Sequence, residues 1–370
     1  MPTYKNKNIK NADGLQRYTV RINHQHNGEY KQLTRVAYGL QQAKQLELEL
    51  QSEQKTPTSS KNFNDLYRTF LEMKKHEIRE TSLDTLEKRF RNHITPFFSN
   101  YKLNKITPQT IENWKKYIND KNLSIITRHS IYASLKSFLG WCERTKHLAE
   151  NPMANIPNFR DAYATPKPDK IRYYTPAQFK QYIAYALQEA KQKNDFRFYV
   201  FFMIAYYTGM RKGEINALKW SDLDGDVLHV RRSIAQKIAG ADKETPPKNK
   251  SSYRSVQCPL PLMKALETQK LLHQTITPEW HDFRICGGEN CMRDTTLDKK
   301  NRFFAISTNL PRIKIHDFRH SHASLLANNG INIQEIARRL GHSKIEQTWN
   351  TYSHLYPKEQ ERALEILNKI

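Results

Sequence analysis

Four short segments in the second half of this 370-residue chain bring together residue types that can hold an anion and act on it. Thr208-Gly209-Met210-Arg211-Lys212-Gly213-Glu214 follows a strongly apolar stretch, so Arg211 stands where a buried helix is broken by Gly209. Lys248-Asn249-Lys250-Ser251-Ser252-Tyr253-Arg254 reads as a basic turn between two strand-like stretches. His316-Asp317-Phe318-Arg319-His320 puts His316 and Arg319 three apart, on one helix face. Leu340-Gly341-His342 leads on to Thr351-Tyr352-Ser353-His354-Leu355. Guanidiniums offer an oxyanion forked, permanently charged donors. Imidazoles and an amine can move protons, and a phenol can serve as a nucleophile. Each segment also has a plain reading by itself: a solvated arginine, a soluble lysine-rich hairpin, a common helical pair, one packing tyrosine among nineteen.

Their order sets them apart. Arg, Lys, His-x-x-Arg, Gly-His and Tyr succeed one another, and in this the sequence resembles the tyrosine recombinase (phage integrase) family. The surrounding words also resemble it: Thr-Gly-Met-Arg-Lys-Gly-Glu, His-Asp-Phe-Arg-His-Ser-His-Ala-Ser-Leu-Leu, Leu-Gly-His-Ser and Thr-Tyr-Ser-His-Leu. The likeness covers the last domain and extends more loosely to the rest, a layout similar to integrases of Gram-positive phages and conjugative transposons.

The resemblance implies cleavage and rejoining of DNA through a 3′-phosphotyrosine on Tyr352 and a Holliday junction, integrating and excising a mobile element. Arg211 and Arg319 would clamp the non-bridging phosphate oxygens, and Lys248 would protonate the leaving 5′-oxygen. His316 would take the Tyr352 proton or hold the phosphate, and His342 would donate a hydrogen bond to it. Lys250 competes with Lys248, and Tyr356 with Tyr352. The first lysine of the family's Lys-x-x-x-Ser-x-Arg hairpin and the Thr-Tyr-Ser-His setting favour Lys248 and Tyr352. Glu214 is expected to orient Arg211 or to be an ordinary surface charge; His320 and His354 support the site or are structural. Phe318 stands where the family typically has leucine, an apolar exchange.

This scheme needs no metal or other cofactor, and no carboxylate cluster for a two-metal site is evident. The partners implied are double-stranded DNA with core and arm sites, a homotetramer on synapsed DNA, a directionality factor and a host DNA-bending protein. Two other classes share the features: a non-catalytic DNA-binding protein on the same fold, and a type IB-like topoisomerase. The full residue set argues against the first and an arm-like N-terminus against the second.

The elements that must position these residues fall into three segments. Residues 1–55 are expected to form an arm-type DNA-binding domain, a three-stranded sheet plus helix. Tyr18, Val20 and Ile22 alternate with polar neighbours, Asn27-Gly28 suits a tight hairpin, and Leu40, Ala43, Leu46 and Leu50 make a helical stripe. Residues 62–155 are expected to be a four- or five-helix core-type DNA-binding domain. Phe63, Leu66, Tyr67 and Phe70 share helical spacing, as do Ile111, Trp114 and Ile118, and Ile131, Leu135, Phe138 and Leu139; Thr107 and Ser124 are N-cap candidates. Proline-bearing Ala154–Arg172 reads as a linker, and residues 172–370 as the catalytic domain, opened by Thr175-Pro176. Val227–Ile234 and Ser255–Cys258 are its strand-like stretches, the rest mainly helical. The fold class is multidomain α+β. After Tyr352, Ala363, Leu364 and Leu367 line a short helix that would dock on a neighbouring protomer or on its own domain.

Composition agrees. Sixty Lys and Arg against thirty-seven Asp and Glu leave a net charge of +23, an excess that suits a polyanionic partner. A membrane surface is disfavoured, because the bases are spread along the chain and no apolar run approaches the ~20 residues of a span. With no signal-like apolar segment, a cytoplasmic, nucleoid-associated protein is expected. Four cysteines make no disulfide framework, and Cys286 and Cys291, near His281, read as a glycine loop rather than a zinc clip.

Overall fold

In the computed structural model, the alternation around Val20 lies in the central strand of a small antiparallel sheet. The structure describes all residues except 1–2, 12–13, 27–28, 55–60, 161–170, 239–240, 248, 356–363, 365–366 and 369–370. They fall into two units, Met1–Thr165 and Pro166–Ile370.

The first unit opens with β1 (Thr3–Lys10), β2 (Gln16–His26) and β3 (Glu29–Tyr38), in that spatial order. The β2–β3 register runs from Arg17 opposite Tyr38 to His26 opposite Glu29. Asn27-Gly28, the expected hairpin turn, lies outside the described residues. Helix α1 (Leu40–Gln54) buries Ala43 against Val20 and Ala37, with Leu46 partly covered. Leu40 is exposed, so the apolar stripe is narrower than its spacing suggested.

Helices α2 (Phe63–Glu77), α3 (Glu80–Arg89), α4 (Thr95–Phe98), α5 (Pro108–Asn119) and α6 (Ile125–Arg144) follow. Their core is the expected one: Phe63, Leu66, Phe70, Ile111, Trp114, Ile118, Ile131, Leu135, Phe138 and Leu139 are all buried. Thr107 and Ser124 act as N-caps, accepting from the backbone N–H of Thr110 and Thr127. A π-helical turn, Phe90–Ile94, interrupts the path from α3 to α4. It buries both end residues, and the His93 carbonyl takes a hydrogen bond from the Trp114 indole at 3.2 Å.

The second unit begins at α7 (Pro176–Lys193), where Thr175 and Gln178 form a capping box around Pro176. Helix α8 (Arg197–Thr208) is apolar nearly all round and buried accordingly. Then come α9 (Lys212–Ala217) and the strands β4 (Leu223–Asp224), β5 (Val227–Val230), β6 (Ser233–Ile238), β7 (Ala241–Thr245) and β8 (Arg254–Gln257).

Here one expectation needs correction. The stretch Val227–Ile234 is not one strand: β5 joins the β4-β5-β8 sheet, whereas β6 pairs with β7 in a separate hairpin. At the break, Arg231 and Arg232 turn towards the buried Asp222 carboxylate, at 3.5 and 3.2 Å, instead of continuing the ladder. The chain closes with α10 (Leu260–Ile276), α11 (Asp294–Ser307), α12 (Asp317–Asn328), α13 (Ile333–Leu340) and α14 (Ile345–Tyr352). Among the described residues no helix is long and apolar enough to cross a membrane.

Candidate active site

The site is assembled where α8 ends. Gly209 closes that helix at φ +64°, and a Cβ there would sit 2.8 Å from His322 and from Leu340, so the turn requires glycine. The reversal leaves Arg211 as the residue preceding α9. Its backbone N–H and Nη1 both donate to the Glu214 carboxylate, each at 2.9 Å. Glu214 is buried and also accepts from Arg254 Nη2 at 2.8 Å. Burial works against its charge, yet Arg254 and Arg211 together outweigh that and hold its pKa below the ordinary carboxylate range. Arg254 in turn donates through Nε to the Arg339 carbonyl at 2.6 Å. One carboxylate and one buried arginine therefore tie α9, the start of β8 and the end of α13 together.

Arg319, on the first turn of α12, is only 3% exposed. Its Nη1 donates to the Gly209 carbonyl at 2.8 Å and its Nη2 to the Leu340 carbonyl at 2.7 Å. Burial, with Arg211 and Arg254 nearby, pushes its pKa down. A guanidinium does not discharge at neutral pH, so the strain appears as positive potential directed at any anion that enters.

His316 precedes α12 and is open to solvent on one side. Desolvation on the other, with His320 and Arg319, lowers its pKa to about 4. His342 is half-buried, and its Nδ1 lies 2.8 Å from the Thr348 hydroxyl. Burial first, then Arg319, Arg211 and Arg254, lowers its pKa to about 4 as well. Gly341 before it adopts φ +68°, and a Cβ would come within 2.9 Å of the Ser251 carbonyl. The glycine thus lets the Gly-His turn approach the basic segment.

Tyr352 ends α14 and is 2% exposed, packed among Ala323, Ala327, Ile336 and Leu340. Its hydroxyl is 2.6 Å from Nδ1 of His320. Burial raises the phenol's pKa and Arg319 opposes the rise.

Of the residues singled out by sequence, Arg211, Glu214, His316, Arg319, His320, His342 and Tyr352 come together in this unit. His320, not His316, touches the phenol. Lys248 and Tyr356 lie outside the described residues; Lys250 begins a 3₁₀ turn (Lys250–Ser252), and His354 is exposed. Sequence reasoning missed Arg254, quoted only as the end of the basic segment, and Thr348, whose one signal is its position four before Tyr352. It also passed over His322, which is buried and donates through Nδ1 to the Tyr206 carbonyl at 2.9 Å.

The Cys286–Cys291 stretch is a tight glycine loop, in which a Cβ on Gly287 would lie 2.0 Å from the Asn290 carbonyl. Cys286 is buried, and the Cys291 thiol faces Asp242 at 3.2 Å. Among the described residues no group of three or more His, Cys, Asp or Glu is placed to hold a metal ion.

The arrangement can grip a tetrahedral oxyanion between guanidiniums and imidazoles and offer it a phenol oxygen. Residues 172–359 match the family model described as phage integrase family, and residues 62–120 match that of the phage integrase N-terminal SAM-like domain. The ICEBs1 integrase of Bacillus subtilis strain 168 is 28% identical over 333 residues, covering 88% of this chain and 88% of that protein. The integrase of Staphylococcus phage L54a is 26% identical over 353 residues, covering 86% of this chain and 95% of that protein. In fold, the chain is similar to the Tn1549 transposon integrase solved with transposon right-end DNA (TM-score 0.65, 19% identity, 83% of this chain and 98% of that one). It is also similar to a lambda integrase dimer bound to a core site, with TM-score 0.57, 16% identity and 93% of each chain covered. The first family match spans just over half of the sequence: the chain belongs to the phage integrase family, the tyrosine-type site-specific recombinases.

Proposed function

We propose that the protein cuts double-stranded DNA at specific core sites by attack of Tyr352 on the backbone, and rejoins strands through a Holliday junction within a homotetramer. The outcome is integration and excision of a phage or conjugative element, with a directionality factor and a host DNA-bending protein as accessory partners. Residues 1–55 bind arm sites, residues 62–155 bind core sites and residues 172–370 carry the chemistry.

The observation that carries this reading is Arg319: a buried guanidinium fixed by two backbone carbonyls, with a nearby phenol hydrogen-bonded to an imidazole. Such a charge is costly to bury, and an incoming phosphate relieves the cost where negative charge builds up in the transition state. Arg211, oriented by Glu214, supplies the second clamp. His342 donates to a non-bridging oxygen, and His316 faces the same anion from the start of α12. Lys248 serves as general acid to the 5′-oxygen, an assignment resting on its motif position. The phosphotyrosine stores the energy of the broken ester, so resealing needs no cofactor.

The test mixes wild-type protein and Tyr352→Phe with supercoiled plasmid carrying the attachment region of its own genome, without divalent metal. Wild type should leave a 3′-linked protein–DNA adduct after denaturation and the variant none. Tight binding by both with no adduct, even with accessory factors, would favour a DNA-binding protein that does not cleave. An adduct that persists in the variant would move the nucleophile to Tyr356.

A further inference from the structure

In the scheme above the Tyr352 proton has no defined destination, and the group in contact with it has no task. We infer that His320 is a further catalytic residue, the base that takes the proton from Tyr352 Oη in the cleaving step. The inference rests on the assignment of Tyr352 as nucleophile.

The 2.6 Å contact is within the usual range for an O–H donor, and Nδ1 is free to accept when Nε2 carries the ring hydrogen. Tyr352 is almost fully enclosed, which leaves little room for bulk water to act in place of the imidazole. The ring is also held in place. His320 follows Arg319, whose two carbonyl bonds pin the first turn of α12. His316 stands one helical turn earlier, with ring centroids 5.3 Å apart and planes nearly perpendicular, so it borders His320 rather than the phenol. The charged groups around His320 are Asp317 and Arg319 on its own helix, with His316 at the helix start and Tyr352 from α14. Burial and Arg319 lower its pKa, so it is neutral before the reaction, and Asp317 favours the imidazolium that forms.

The step balances. The Tyr352 O–H bond breaks and its proton passes to Nδ1. The phenol oxygen forms a bond to phosphorus, the bond from phosphorus to the 5′-oxygen breaks, and that oxygen is protonated by the general acid. On resealing, the imidazolium returns its proton to the departing phenolate.

Single-turnover cleavage of a nicked core-site substrate tests this, using His320→Asn and His320→Ala. Asparagine keeps a polar atom near the position of Nδ1 but takes up no proton. Cleavage should slow by about 10²-fold or more in both variants, with DNA binding retained. Added imidazole should partly restore His320→Ala. A 5′-bridging phosphorothiolate, which relieves the need for an acid, should restore neither. Wild-type or faster cleavage by His320→Asn would overturn the inference, the contact then being structural or a latch that holds the phenol back, while Tyr352 remains the nucleophile. Absence of a Tyr352 adduct in wild type would instead overturn the underlying assignment, and this inference with it.

Discussion

Arg319 shows how much a single side chain can be asked to hold. Its two carbonyl bonds and its charge are inseparable, because the fork that grips Gly209 and Leu340 also sets the remaining N–H groups. Arg319→Lys keeps a charge but cannot span both carbonyls. Single-turnover cleavage should fall about 10²- to 10³-fold with DNA affinity little changed. Two histidines make a second residue-scale prediction. Burial, with nearby arginines, lowers His322 to about 3 and His342 to about 4. Both values lie below the ordinary ~6.5, so the unfolded chain takes up protons that the folded one refuses. Stability is therefore lost as pH falls from about 6.5 towards 4. Thermal melts should show the midpoint dropping on acidification, and His322→Asn, which keeps a donor for Tyr206 without titrating, should flatten that dependence. An equal slope in the variant would show that His322 is not a source of it.

At the scale of elements, the Glu214–Arg254 pair joins three segments distant in sequence. Arg254→Met takes one of two guanidiniums from the buried Glu214 carboxylate and leaves Arg211 as its cationic partner, so it should destabilise the fold by about 1.5–3 kcal/mol. It should also slow cleavage, because Glu214, which orients Arg211, loses its anchor to the start of β8; urea unfolding and a cleavage assay at a temperature where the variant is folded separate the two effects. Local chemistry was readable where it acts locally. The caps at Thr107, Ser124 and Thr175 and the break at Gly209 follow from residue types at helix ends. The helical stripes of the 62–155 region name its core for the same reason. What pattern could not reveal depends on which helices face each other. His316 and His320 lie one turn apart, so spacing alone does not say which meets Tyr352. The division of Val227–Ile234 between two sheets coincides with the pairing of Arg231 and Arg232 to the buried Asp222, a tertiary fact. The motif order marked residues that the fold brings together, but not that Arg254 joins their frame.

Across the whole molecule, a net charge of +23 sets the terms of association with a polyanion. Each phosphate neutralised releases counterions, so DNA affinity should fall steeply with salt, about 10³- to 10⁵-fold between roughly 50 and 200 mM if six to ten phosphates are engaged. Fluorescence anisotropy at several salt concentrations gives the slope, and a nearly flat one would contradict the polyanion reading. The His320–Tyr352 contact has a consequence for stoichiometry. On the proposed assignment one polypeptide carries both the attacking oxygen and the pocket that receives the phosphate, so each copy is armed by its own chain. Mixing Tyr352→Phe with Arg319→Ala protein should give no more cleavage than either alone. If the mixture cleaves, copies are lending each other their tyrosines. If it does not, each copy cuts with its own tyrosine.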